Sequence, residues 1–166
     1  MSQKEEMTQS GKILYSYVSD DKGIEGEHKI QSRNGSNVLE FSVKVTNNSL
    51  DDKTIENLSS LCIGGISPMH KKNDADNLRV YEIRNYWAGE GRLVSHTAGE
   101  LGLYNSYSGY GLRGYSIGRA GSMPAHGHIP FLAITDEKEQ ITWAVQPNEL
   151  GSWRIDVIQN NNRIGI

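Results

Sequence analysis

The residues best placed to do chemistry in this chain fall within Arg84-Asn-Tyr-Trp-Ala-Gly-Glu-Gly-Arg92. A tryptophan beside small residues, with Glu90 and Arg92 two positions apart and therefore on one side of a strand, offers a flat aromatic face next to a carboxylate–guanidinium fork. Aromatic faces stack on the C–H edges of sugars, and charged forks bind hydroxyls. Trp87, Glu90 and Arg92 are accordingly the candidate carbohydrate or interdomain surface. A second reading stays open on the same residues: Trp87 as a core side chain, and Glu90 with Arg92 as an internal ion pair that fixes a strand crossing.

Other constellations carry less. Gly109-Tyr-Gly-Leu-Arg-Gly114 matches G-x-G-x-x-G, but that fingerprint holds a pyrophosphate only where a strand enters it and a helix opens from it. Here a Tyr/Ser/Gly stretch precedes it and turn residues follow, so no nucleotide cofactor is expected. His126-Gly-His128 sets two imidazoles close together, yet a metal needs at least a third ligand, and the neighbouring residues offer no familiar zinc spacing. Paired surface histidines, with no metal, are the expectation. Carboxylates cluster at 20–21, 25/27, 51–52 and 136–139. A retaining glycosidase needs two carboxyls facing each other about 5 Å apart, whereas these sit in predicted turns, where Asp and Glu are solvated. With no nucleophile elbow either, no catalytic residue is expected in this chain. Cys62, alone between Leu61 and Ile63, reads as a small buried hydrophobe rather than a nucleophile, and a single cysteine excludes a disulfide framework.

The elements that must position these residues read as strands. Among 166 residues, eighteen glycines against four prolines, with thirteen aromatics, indicate an all-β chain rich in turns. Residues 12–18, 38–45, 54–63, 79–87, 130–134, 141–145 and 152–158 are predicted strands. The clearest is 38–45, where Leu39, Phe41, Val43 and Val45 alternate with Glu40, Ser42 and Lys44. Asn34-Gly35 supplies a tight turn, and 135–140 is a charged turn between two strands. Residues 89–127 hold ten of the glycines and show no sustained helical period; only 100–104 suggests a helical turn. The pattern describes a β-sandwich, with residues 1–11 as a disordered or tail segment and 12–166 as a single domain. A net charge of −3 argues against a nucleic-acid binder acting through a global positive field. No run approaches the ~20 apolar residues of a membrane-spanning helix. The polar first ten residues lack an apolar h-region, so a cytoplasmic location is expected.

Several motifs in order carry a family resemblance: Trp87-Ala-Gly-Glu-Gly-Arg-Leu93, Glu100-Leu-Gly-Leu103, Gly121-Ser-Met-Pro124, Pro130-Phe-Leu-Ala-Ile134, Thr142-Trp-Ala-Val-Gln146 and Gly151-Ser-Trp153. Together with Val43-Lys-Val-Thr-Asn-Asn48 and the stretch 58–68, they span about residues 38–158. This run resembles the N-terminal domain of microbial α-galactosidases, the melibiose- and raffinose-cleaving enzymes of glycoside hydrolase family 36. The resemblance implies a β-supersandwich of the galactose-mutarotase-like kind, truncated here at one or both ends. In that family it precedes a (β/α)₈ barrel that carries both catalytic aspartates. It also implies the barrel as partner, contacts in a homo-oligomer and an α-galactoside near the site, with no catalytic residue in this chain. A free-standing carbohydrate-binding module and a purely structural interaction domain are the alternatives.

Overall fold

The structure, a computed structural model, describes residues 1–66, 75–103, 113–121, 123, 125–148, 151–160 and 163–166. Among these the chain is all-β, with one 3-10 turn at Ala75–Asn77 and no α-helix. It divides into two compact units, Met1–Cys62 and Ile63–Ile166, in place of the single domain expected over 12–166.

The first unit is an antiparallel meander of β1 (Ser2–Thr8), β2 (Gly11–Ser19), β3 (Ile24–Arg33) and β4 (Leu39–Asn47), paired in chain order. Residues 1–11 are therefore no tail: β1 pairs with β2 from Ser2 opposite Tyr17 to Thr8 opposite Gly11. Its side chains are exposed on both faces, so it has no apolar alternation for a sequence reading to detect. The alternation expected at 38–45 is present. Through the β3–β4 register, Leu39, Phe41, Val43 and Val45 share a face with Ile30 and His28, while Glu40, Ser42 and Lys44 lie with Gln31, Lys29 and Glu27. The Asn34-Gly35 turn joins the two strands, with Gly35 at a φ of 72°. The strand expected at 54–63 is absent; those residues run irregularly, and His28 Nε2 lies 3.0 Å from the Ser60 carbonyl. Ile55 and Leu58 remain half exposed. Cys62 is exposed rather than buried.

The second unit is a sandwich. One sheet has the order β6-β5-β8-β9 and the other β11-β10-β7, built from β5 (Leu78–Tyr86), β6 (Gly89–Thr97), β7 (Arg113–Arg119), β8 (Gly127–Asp136), β9 (Ile141–Val145), β10 (Trp153–Asn160) and β11 (Arg163–Gly165). Leu78, Val80, Leu132 and Ile134 of the first sheet meet Ile117, Trp153, Ile155, Val157 and Ile164 of the second in one apolar layer. Strict alternation along β10 puts Trp153, Ile155, Val157 and Gln159 inward. Ala98 and Leu103, in a hydrogen-bonded turn after β6, close one side of this core. That turn covers 98–102, and Tyr104 of the expected helical turn lies outside the described residues. Ile63 and Ile166 exchange backbone hydrogen bonds of 2.8 and 2.9 Å, so the two ends of the unit are paired with each other. Of the G-x-G-x-x-G run, residues 109–112 lie outside the described residues, and Arg113 and Gly114 open β7, a strand and not a helix.

Leu132 is fully enclosed between the sheets. Its replacement by Ala is expected to destabilise this unit by about 2–5 kcal/mol, read as a lower urea midpoint in tryptophan fluorescence; Leu93→Ala, at an exposed position of β6, is expected to change it little.

Candidate functional site

The β5 register sets the site. Leu78, Val80, Glu82 and Arg84 point to one side, and the first two belong to the apolar core. Continuing the same face, Glu82 enters the sandwich with no exposed surface. A buried carboxylate costs several kcal/mol unless donors surround it, and its own strand and the facing sheet supply them. The Tyr115 hydroxyl, from β7 in the opposite sheet, donates to Oε2. Arg84 Nε donates to Oε1 at 2.8 Å. His128 Nε2, on β8, lies 3.5 Å from Oε2, and His96 Nε2, on β6, lies 3.6 Å from Oε1. His96 Nε2 is itself buried without a hydrogen-bond partner. Burial pushes the Glu82 carboxyl upward, but the Tyr115 and Arg84 hydrogen bonds and the nearby His128 outweigh it and hold the group below its ordinary value. The Tyr115 hydroxyl is raised, by burial first and by Glu82 second. With both oxygens occupied and no open surface, Glu82 is placed to join the two sheets rather than to meet a substrate. Among the described residues no cluster of His, Cys, Asp and Glu is arranged to hold a metal ion.

Beyond Glu82 the strand leaves the core. Arg84 faces Arg92 on β6 and His128 on β8, and β5 and β6 then close through a two-residue loop, Trp87-Ala88, between Tyr86 and Gly89. Asn85 fastens this hairpin: its Nδ2 donates to the Ala125 carbonyl at 2.9 Å, and its Oδ1 accepts from Gly91 N at 3.3 Å. The Trp87 side chain is 96% exposed, which removes the reading of it as a core residue. Ala88 takes a left-handed φ of 59°, a conformation that costs a residue with a Cβ about 1–2 kcal/mol. Asn85, Tyr86, Trp87, Glu90, Met123, Ala125 and His126 line an open depression of about 310 Å³. The His126 ring meets Tyr86 edge to face at 6.2 Å.

Of the three residues singled out from the sequence, Trp87 and Glu90 come together at this depression, while Arg92 lies deeper along β6 opposite Arg84. Glu90 and Arg92 form no ion pair with each other, so the internal pair is absent. No protein-family model matches the chain, and no curated protein matches it.

The two histidines of 126–128 do not share a face. Gly127, at a φ of 91°, breaks the extended geometry that would align them, so His126 goes to Tyr86 and His128 to Glu82. The clustered carboxylates serve turns where the structure shows their bonds. Asp20 Oδ1 accepts from Lys22 N and Ile24 N, and Asp136 Oδ1 from Lys138 N and Glu139 N. Glu25 and Glu27 lie within β3 instead of a turn. Glu82, Tyr115 and His96 were not singled out from sequence. The available signal was a carboxylate in the same alternating register as Val80.

Because the folded Glu82 carboxyl sits below the ordinary value of 4.5, the stability it contributes is fully present above that value and is lost as pH falls through the lower folded one. Glu82→Gln is expected to cost about 1.5–3 kcal/mol at pH 7 and markedly less at pH 3, read from urea midpoints across that range. An equal loss at both ends would contradict the assignment.

Proposed function

We propose that the chain is the non-catalytic N-terminal accessory domain of an α-galactosidase-like retaining glycoside hydrolase acting on terminal α-galactosides such as melibiose and raffinose. It packs on a (β/α)₈ barrel carried elsewhere, supports assembly, and acts in the cytoplasm. The ordered run of motifs from Trp87 to Trp153 suggests the family, and an all-β sandwich is the architecture such a domain requires. No helix of the described residues is long and apolar enough to cross a membrane.

One observation carries the site assignment: Trp87 stands almost wholly in solvent on a hairpin held by Asn85, beside Tyr86, Glu90 and His126. A large aromatic side chain gains little from water, and exposed aromatics on a fixed turn are the residues that dominate contact energies with a partner or sugar. In this reading Trp87 is the anchor and Glu90 its polar neighbour. Arg92, farther along β6 opposite Arg84, is included on the strength of the sequence motif. The second reading, a free-standing carbohydrate-binding module, rests on the same exposed indole.

In a polypeptide that joins this chain to its barrel, Trp87→Ala is expected to raise the KM for raffinose, or weaken assembly, by roughly tenfold. Calorimetric titration of the chain alone with raffinose is expected to give no saturable heat. Unchanged KM and assembly would remove the accessory role, and saturable heat from the chain alone would favour the binding module.

A further inference from the structure

The last strand of the first unit's sheet, β4, lies at its edge. β4 has β3 on one side only, and no described strand lies on its other side. It is nine residues long, with no Pro, no Gly and no bulge in its register; of the usual devices that protect a sheet edge it carries only charged side chains, Glu40 and Lys44. The opposite edge, β1, is different. Its middle residue is Glu5, and a symmetric pairing centred there would set two carboxylates against each other.

A two-fold axis through Ser42 gives β4 the reverse character. In an antiparallel pair about that centre, Ser42 meets Ser42 of the second copy, and Glu40 of each copy faces Lys44 of the other. On the opposite face Phe41 meets Val43 and Leu39 meets Val45. Both kinds of cross-strand pair are stabilising, and each occurs twice because the interface is isologous. The charges are available for this. Lys44 makes no ion pair or hydrogen bond among the described residues, and Glu40, whose Oε1 is held by Arg33, keeps its second oxygen free. The apolar half is also incompletely covered: Leu39 is 51% exposed, and Phe41, Val43 and Val45 are only partly buried. We propose that β4 docks a second copy of this chain edge to edge, in the register that sets Glu40 against Lys44 and Ser42 against Ser42, making one eight-stranded sheet from two four-stranded ones.

This inference is independent of the galactosidase reading, since it concerns the first unit alone and is tested without sugar. Sedimentation velocity of the full chain over a micromolar concentration series is expected to show a monomer–dimer equilibrium. Lys44→Glu turns both attractive pairs into carboxylate–carboxylate contacts and is expected to weaken the dimer roughly tenfold, with circular dichroism unchanged. Adding Glu40→Lys to it makes the edge self-complementary again and is expected to restore the dimer. In a Cys62→Ser background, Ser42→Cys is expected to give a disulfide-linked dimer on mild oxidation, because directly opposed residues have Cα atoms within disulfide reach. A monomer at every concentration, a dimer indifferent to Lys44→Glu, or a double variant as weak as the single one would overturn the proposal.

Discussion

One buried carboxylate holds the second unit in its observed form. Glu82 occupies a position that the alternation of β5 directs into the core, and an unpaired charge there would disfavour the fold by several kcal/mol. The cost is offset because donors arrive from the facing sheet and from its own strand, while two imidazoles of the neighbouring strands lie within 3.6 Å. Tyr115 comes from β7, Arg84 from β5, and His128 and His96 from β8 and β6. Each of these contacts requires a strand register, so the carboxylate specifies how the two sheets are placed as well as how β5 pairs. Apolar residues behind it, from Leu78 to Ile134, supply most of the burial without demanding one register so strictly.

The same residue marks where the core ends. Behind Glu82 the side chains are aliphatic and enclosed, and ahead of it come Arg84, Arg92 and then the Trp87 hairpin. Two arginines directly opposed across β5 and β6 repel one another, and Glu82 neutralises one of them. Asn85 then carries the order of the sheet into the loop by bonding both Ala125 and Gly91. Trp87 is therefore displayed on a braced turn rather than on a free one, and the left-handed Ala88 beside it is tolerated because the surrounding hydrogen bonds determine its backbone.

How much of this was legible depended on whether a strand alternates or runs apolar in sequence. β4, β5, β8, β9 and β10 alternate or run apolar, and their positions follow from the sequence to within a few residues. β1 is exposed on both sides, and β3 mixes Glu25, Glu27 and Lys29 with Gly26, so neither advertises itself. β6 and β7 lie in the glycine-rich stretch, where Gly91 and Gly118 dilute the signal, and the apolar residues of 54–63 suggested a strand that the chain does not make. At the site, Trp87 and Glu90 were singled out from the sequence, and both line one depression, which no residue pattern announced. Between Glu90 and Arg92, Gly91 takes a φ of 67° where the β5–β6 register shifts, which simple two-residue alternation does not anticipate. Glu82 stayed hidden because a polar residue in an apolar register is ambiguous until its donors, Arg84 and Tyr115, 2 and 33 positions away along the chain, are brought together.

The most direct test of this account is a double-mutant cycle between Glu82→Gln and Tyr115→Phe, with unfolding free energies measured in urea at pH 7. If the carboxylate joins the two sheets through the tyrosine hydroxyl, the double variant is less destabilised than the sum of the singles, by about 1 kcal/mol or more. Strict additivity would mean that the two residues act separately and that the sandwich is held by its apolar layer alone.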